Sequence, residues 1–492
     1  MHPGDHLTVL DPGGKPSFSW TATPDFLAAT IAMNKKSYAV SYRLTRPLAD
    51  EGDPRAQYRM SYFAHYGFGM KQDSHAALTW LYRSAKGGFI PATHALGLYY
   101  VNGWGVPVNP QRAYSFFLDA ARHGLPAASD ALGDLAKSGA LGKPDFAAAM
   151  GFYREAADKG YGPSITKVAF AYQMGMGVPR DVKLAIATYE KAAEKNDATA
   201  ESNLGVIYGQ GELLPADYAK SLSWYKRAGE HGSALAHIRA AGFYLKGLGV
   251  SKDVPTARHY LSLAETQATT AEDFYALAHV YGDGQDLPAD DALAARNYLK
   301  ASELGYGPAQ HNLSLMYSNG KGVPKDDIAA FSWDLKASSQ GITYAQDRVS
   351  HMYESGLGVK QNLPEAFRWA QAAAESGWDI AEMHLAEMYE RGTGVEKSDI
   401  ETFHWALAAG FQGNRQAARV IGRSYALGLG PAPKDAVKAR AWRALDAGPM
   451  VTVSPADIAM RLERIYGARN PADLRARHPE IDDFLKWSTR PH

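Results

Sequence analysis

The stretch that decides the fold is PAQHNLSLMYSNGKGVPKDDIAAFSWDLKASSQG, residues 308–341. It carries Tyr317, a two-glycine turn at Gly320-Lys321-Gly322-Val323, and then Asp326, Ala330, Trp333, Ala337 and Gly341. Moving outward, the tyrosine recurs as a column: Ala64, Tyr100, Ala136, Tyr172, Tyr208, Tyr244, Tyr281, Tyr317, Tyr353, Tyr389 and Tyr425. The step is 36 residues except for a single 37. A second column keeps the same steps: Asp73, Asn109, Asp145, Asp181, Asp217, Asp253, Asp290, Asp326, Asn362 and Ser398. The extra residue therefore falls between Asp253 and Tyr281, near Thr266-Gln267-Ala268-Thr269. Self-similarity at a fixed period of this length marks a repeat architecture, and it replaces the estimate of about three domains that 492 residues would otherwise suggest.

Each column has a physical job. Asp, Asn and Ser are preferred N-caps because a short side-chain oxygen accepts from the free N–H groups of the first helical turn. A helix, B, is predicted after each of them. Four, seven and eleven residues past the cap come a small residue (Ala77, Ala113, Ser221, Ala330), a ring (Trp80, Phe116, Trp224, Trp333) and Ala (Ala120, Ala156, Ala337). These offsets share one face of a 3.6-residue helix. Fifteen residues past the cap stands Gly88, Gly124, Gly160, Gly232, Gly305, Gly341, Gly377 or Gly413, which suits a left-handed helix end. Upstream, a helix A carries Ala eight before the tyrosine and an aliphatic residue four before it. The G-x-G pairs between A and B follow a helix rather than a strand and recur along the chain, so they read as turns and not as phosphate loops. Three units depart from this pattern: Ser138-Gly139-Ala140-Leu141, Gly211-Glu212-Leu213-Leu214-Pro215 and Gly284-Gln285-Asp286-Leu287-Pro288 lack the second glycine. Their turns should differ locally. The last unit has Lys434 where the cap belongs and Asp435 one later, which suggests a distorted final hairpin.

These residues resemble the Sel-one-like repeat (SLR) family, a relative of the tetratricopeptide repeat. The resemblance implies an all-α, right-handed superhelical solenoid of about eleven helix-turn-helix repeats with helical caps. It further implies binding of other proteins without catalysis. The expected organisation is an extended arm over 1–23, a capping helix or half-repeat over 24–53, eleven units over 54–447, and a C-terminal helical cap or tail over 448–492.

Composition narrows the function. Lys+Arg and Asp+Glu are both 52, so bulk affinity for nucleic acid or an anionic membrane is not expected. Cysteine is absent, which excludes disulfides, thiolate metal sites and a cysteine nucleophile. No apolar run reaches the ~18 residues a membrane span requires. No basic segment followed by an apolar one opens the chain, so no signal peptide is visible. The expected compartment is the cytoplasm, or the periplasm if a leader was removed or lies upstream of Met1.

Helix A should line the concave surface, as in the related repeats. Positions six and two before the tyrosine lie a turn apart and hold no single residue type. The candidate partner-binding residues are Tyr58, Tyr62, His94, Asp130, Asp134, Phe170, Tyr275, His279, His311, Asp347, His351, Glu387, Arg419 and Arg423. His279, His311 and His351 come from successive units on the order of 10 Å apart, whereas zinc needs its nitrogens at ~2.1 Å from one point, so no metal is expected. Asp290-Asp291 and Asp326-Asp327 sit at helix N-caps, where anions are stabilised without any acid–base role. No catalytic motif and no cofactor is expected. The expected function is a non-catalytic scaffold or adaptor in a larger bacterial assembly, holding a protein or peptide in the concave groove. The alternative is a periplasmic or envelope-associated protein serving polysaccharide export, surface assembly or signalling; any association with a membrane complex is expected to be peripheral and through a protein partner.

Overall fold

The computed structural model describes residues 24–446, with side chains from 26 to 443. The expected N-terminal arm and the C-terminal cap or tail lie outside the described residues. Within them are 24 α-helices and no strand. A first helical pair, Pro24–Asn34 and Tyr38–Asp50, precedes the repeats. Helix A and helix B then alternate, from Pro54–Tyr66 and Ser74–Lys86 in the first repeat to Arg415–Leu427 and Ala436–Asp446 in the eleventh. The chain divides into two compact units, Met1–Asp253 and Val254–His492, parted in the loop before helix B of the sixth repeat.

The cap column acts as its chemistry requires. Asp73, Asn109, Asp145, Asp181, Asp217, Asp290, Asp326, Asn362 and Ser398 each accept a backbone N–H of the first turn of helix B. The same residues close the hairpin from the other side. The backbone N–H of the cap residue donates to the carbonyl of the tyrosine column, as in Asn109 to Tyr100 (2.8 Å), Asp253 to Tyr244 (2.9 Å) and Asp326 to Tyr317 (3.0 Å). One residue therefore ends the turn and starts the next helix. In the last repeat Asp435 takes over this role one position late: its N–H reaches the Tyr425 carbonyl at 2.8 Å, and its carboxylate accepts from Val437 and Lys438.

The first glycine of every A–B turn is a left-handed C-cap, with φ between 65° and 76°. The second glycine has a different reason. A Cβ on Gly177, Gly322, Gly358 or Gly394 would lie about 2 Å from the carbonyl oxygen of Phe146, Asp291, Asp327 or Leu363. Each of those carbonyls belongs to the start of helix B in the preceding repeat. The second glycine is thus a close backbone contact between neighbouring hairpins. In the third, fifth and seventh repeats it is missing, and the remaining glycine shifts: ψ is 12° at Gly139, 3° at Gly211 and 1° at Gly284, against 24–49° at the C-caps of the two-glycine turns. The expected local difference in these turns is real. At the end of helix B, Asn196 (φ 60°) replaces the usual left-handed glycine in the fourth repeat, a substitution that Asn tolerates best.

The core is a ladder of small residues and aliphatics. The Ala columns of helices A and B and the Leu/Val/Ile column four before the tyrosine are buried throughout, for example Ala92, Leu96, Ala113, Ala120, Ala309, Leu313, Ala330 and Ala337. The ring seven past the cap is only partly buried in most repeats. The fully packed position is eight past the cap: Leu81, Phe117, Tyr153, Tyr189, Tyr225, Leu261 and Tyr298. Its partner is three before the tyrosine, where Gly97, Gly133 and Gly205 leave room for the rings of Phe117, Tyr153 and Tyr225. A Cβ at those glycines would come within 3 Å of the ring.

One buried acid carries a measurable consequence. Glu382, in helix A of the tenth repeat (Asp379–Arg391), is buried and accepts from Gln412 at 2.8 Å. Burial, reinforced by the nearby Asp379 carboxylate and opposed by the Gln412 bond, pushes its pKa up from 4.5 to about 7. Between those values the folded chain holds a proton that the unfolded chain releases, so stability falls as pH rises through that window. Glu382→Gln should remove this loss, making the variant more stable than the parent at pH 8 by on the order of 2 kcal/mol and equal to it near pH 4. Urea unfolding at both pH values checks this.

Candidate functional site

The candidate residues all lie on helices A, and successive A helices bond to one another through them. In the first unit, Lys167 of the fourth repeat (Gly162–Met174) reaches back to Asp130 and Asp134 of the third (Pro126–Ser138), at 2.9 and 2.8 Å. Burial works against the Lys167 charge, but hydrogen bonds to Asp134 and Asp130 outweigh it and raise the pKa. Asp130 also accepts from Ser164 (2.6 Å) and Asp134 from Tyr153 (2.7 Å). One lysine therefore offsets half the charge of the acidic pair, and the hydroxyls of Ser164 and Tyr153 help to anchor it. Beside it, exposed Phe170 lines a cleft of about 230 Å³ with Tyr153, Thr166, Lys167, Met176 and Asn203.

At the start of the array the rings pack on one another. Tyr58 is buried against Phe89 at 5.3 Å between ring centroids, and burial lifts its hydroxyl pKa to about 12. Tyr62 contacts Tyr66 and Phe68 at 4.5 and 5.8 Å. His94 lies 5.4 Å from the Phe117 ring, and burial pushes its pKa down to about 4.

In the second unit, Tyr275 packs on Tyr298 and Tyr306 and His279 is exposed. His311 occupies the same column as His94, but the ring it would meet is replaced by Asp334, which stands eight past the cap in helix B of the eighth repeat (Asp327–Ser338). Asp334 is wholly buried. It accepts from His311 Nδ1 (2.8 Å), from Ser314 Oγ (2.5 Å) and from Arg348 Nε (2.7 Å). Ser314 fills the position held by Gly97 in the second repeat, so ring-on-glycine has become carboxylate-on-hydroxyl. Arg348 continues to Ser318.

Next to Arg348 in the same helix (Thr343–Ser355), Asp347 accepts from His384 Nδ1 of the tenth repeat at 2.7 Å, and one turn on from Asp347 the His351 ring stacks on that of His384 at 3.9 Å. Burial, and then the His384 charge, lower the pKa of His351. Between these groups opens a cleft of about 380 Å³ lined by His311, Tyr344, Asp347, Arg348, His351 and Trp378 among others. Glu387 pairs with Arg391 (2.7 Å), Arg423 with Glu390, and Arg419 is exposed. The structure thus brings His311, Asp347 and His351 to one cleft, and Asp130 and Asp134 to one lysine. Sequence reading missed Lys167, Asp334, Arg348 and His384, none of which lies in the two columns six and two before the tyrosine. The signal for Asp334 was present: an acid where the other repeats carry a buried apolar residue.

The Sel1 repeat pattern matches eleven segments of the chain: 54–89, 90–125, 126–161, 163–197, 198–233, 234–268, 275–306, 307–342, 343–378, 379–414 and 416–442. The chain belongs to the Sel1 repeat family. Proteins of this family are generally non-catalytic scaffolds that mediate protein–protein interaction. Among solved structures, the chain is similar to a protective antigen of uropathogenic Escherichia coli strains with an SLR fold, at 28% identity and a TM-score of 0.47, over 90% of this chain and 94% of that one. A Sel1 repeat protein from Oxalobacter formigenes matches at 29% identity and a TM-score of 0.44, over 49% of this chain and 99% of that one. Yeast Tom70 matches at 13% identity and a TM-score of 0.31, over 93% and 94%. No curated protein matches the chain. Among the described residues, no helix of this Sel1 repeat protein is long and apolar enough to cross a membrane.

Proposed function

We propose that this Sel1 repeat protein is a scaffold that holds a protein or peptide partner along the outward face of its A helices, as a non-catalytic subunit of a larger bacterial assembly. The observation that carries the reading is the contrast between columns. Residues four and eight before the tyrosine are nearly uniform in type and buried. Residues two before it change from repeat to repeat and none is buried: Asp134, Phe170, His279 and His351 are exposed, and Tyr62, Leu98, Val206, Gly242, Leu315, Glu387 and Arg423 are partly buried. A surface whose side chains are held in place by a uniform core, yet differ at each step, is suited to read an extended partner segment one repeat at a time. The two clefts, around Phe170 and around His351, are natural seats for anchoring side chains.

The test is affinity capture from the native host with the full chain, comparing the parent with Phe170→Ala and His279→Ala. Both side chains are exposed, so the fold should survive; circular dichroism confirms that. At least one of the two should lower recovery of the captured partner several-fold. Undiminished recovery with both variants contradicts the proposal. Tyr58 is unsuited to this test because its removal would disturb the core.

A further inference from the structure

The cleft beside His351 combines rings with negative charge that no fixed cation offsets. Tyr344, Trp378, His311 and His351 all line it. Tyr344 is 40% exposed and meets the His311 ring edge-on at 4.5 Å. The His351 ring lies on His384 with one face and is otherwise exposed. Asp347 lines the same cleft and is more than nine-tenths buried. Its Oδ1 accepts from His384 Nδ1, but its Oδ2 accepts no hydrogen bond; His351 Nε2 stands 3.6 Å away. A buried carboxylate oxygen without a donor is costly, and a donor entering the cleft would relieve it. Charge points the same way. Arg348 is the single Lys or Arg among the lining residues, and Asp334 offsets it: its Nε donates to Asp334 and its Nη2 to Ser318. Among the described residues, Asp347 pairs with no Lys or Arg, and neither does Glu354, which lies beside the other ring nitrogen of His351 at 3.7 Å; imidazoles are their only ionic neighbours. Burial and the neighbouring His384 hold the His351 pKa below its ordinary value, so near pH 7 that ring is uncharged and does not repel a cation.

We propose that this cleft receives an arginine side chain of the bound partner, with its guanidinium against the exposed rings and donating to Asp347 Oδ2. Arginine suits the site better than lysine. Its guanidinium is planar and weakly hydrated, so it stacks on ring faces in an open cleft without giving up a tight water shell, whereas the lysine ammonium is compact and strongly hydrated. Leu315, Met352 and Leu357 complete the lining and match the methylene stem of the side chain. An acidic anchor would meet Asp347 and Glu354 with nothing to neutralise it. A purely apolar anchor would leave Asp347 Oδ2 without a donor and more deeply buried. This inference rests on the partner-binding reading and adds the chemistry the partner brings to the ninth repeat.

The experiment uses the full chain, isotope-labelled at its methionine methyl groups for NMR, with the Met352 signal assigned by Met352→Leu. The probes are the N-acetyl methylamides of arginine, lysine, glutamate and leucine, titrated at constant ionic strength. The arginine probe should shift Met352 saturably, with a Kd in the millimolar range. The lysine probe should bind several-fold more weakly, and the glutamate and leucine probes should give no saturable shift. Asp347→Asn, which keeps an acceptor for His384, should weaken arginine binding by about fivefold or more. Tyr344→Ala, at an exposed position, should weaken it by roughly two- to fivefold. Phe170→Ala, in the other cleft, should leave it unchanged. Circular dichroism checks that each variant is folded. No saturable shift with arginine, a response unchanged by Asp347→Asn, or an equal response to glutamate overturns the proposal, and equal binding of lysine overturns the assignment to arginine. Capture with Phe170→Ala and His279→Ala tests the partner-binding reading at residues outside this cleft, so either result can fail while the other stands.

Discussion

Asp334→Ala should lower stability by about 3–5 kcal/mol, the range measured when one member of a buried charged network is removed. The reasoning starts from the position. In the second and fifth repeats the residue eight past the cap is an aromatic ring that fills the space above a glycine. Here it is a carboxylate that is wholly buried and accepts from His311, Ser314 and Arg348. Alanine leaves those three donors without their shared buried acceptor. It also removes the tie between the eighth and ninth repeats, since Arg348 comes from the next helix A. Asp334→Asn keeps one acceptor and should cost less. Urea unfolding of the full chain, followed by circular dichroism, gives both values. A loss below about 1 kcal/mol for alanine would mean that the network contributes no net stability.

Gly358→Ala should cost roughly 2–5 kcal/mol. Two terms add. The backbone is left-handed at φ 69°, which costs a non-glycine residue about 1–2 kcal/mol. The added Cβ would then sit 1.9 Å from the Asp327 carbonyl oxygen, a contact that cannot exist, so the turn must move off the helix start of the preceding repeat. Overpacking of this kind costs typically 1–3 kcal/mol. Gly341→Ala separates the terms. Its φ is 80°, but no atom lies within 4 Å of its Cβ position, so only the backbone cost remains, about 1–2 kcal/mol. Equal losses for the two variants would show that the second glycine serves its own conformation and not the stacking of hairpins.

The array was legible because its parts are local. A cap, a turn glycine and an alanine every fourth or seventh residue are written in consecutive residues, and the period multiplies the signal. Asp435 standing in for Lys434 as the last cap could be anticipated for the same reason. The packed position eight past the cap was harder to see. It holds Leu, Phe, Tyr, Asp and Ala in different repeats, while seven past the cap a ring stands in every repeat but those of Thr188 and Asn297. On a helix, offsets seven and eight both adjoin offset four, and only the neighbouring helix decides which is covered. Variation at the two helix-A columns likewise has two sources. Two before the tyrosine, side chains differ where they meet solvent. Six before it, Tyr58, Thr166, Ile238, Asp347 and Met383 are buried and differ because each packs on its own neighbour. Such one-off pairs have no period and leave no column. His351 and His384 stack although they are 33 residues apart and hold different positions in their repeats. That contact follows from the offset between adjacent hairpins, which no single repeat encodes.

The central claim is that a uniform buried ladder leaves the changing face of the A helices to recognise a partner. Hydroxyl-radical footprinting of the full chain, alone and with its captured partner, tests this side chain by side chain. The account predicts lower oxidation on binding at Tyr62, Phe170, His279 or His351, and no change at Ile328 and Ile400, which are exposed near the start of helix B. Protection at Ile328 and Ile400 with none on the A helices would contradict it.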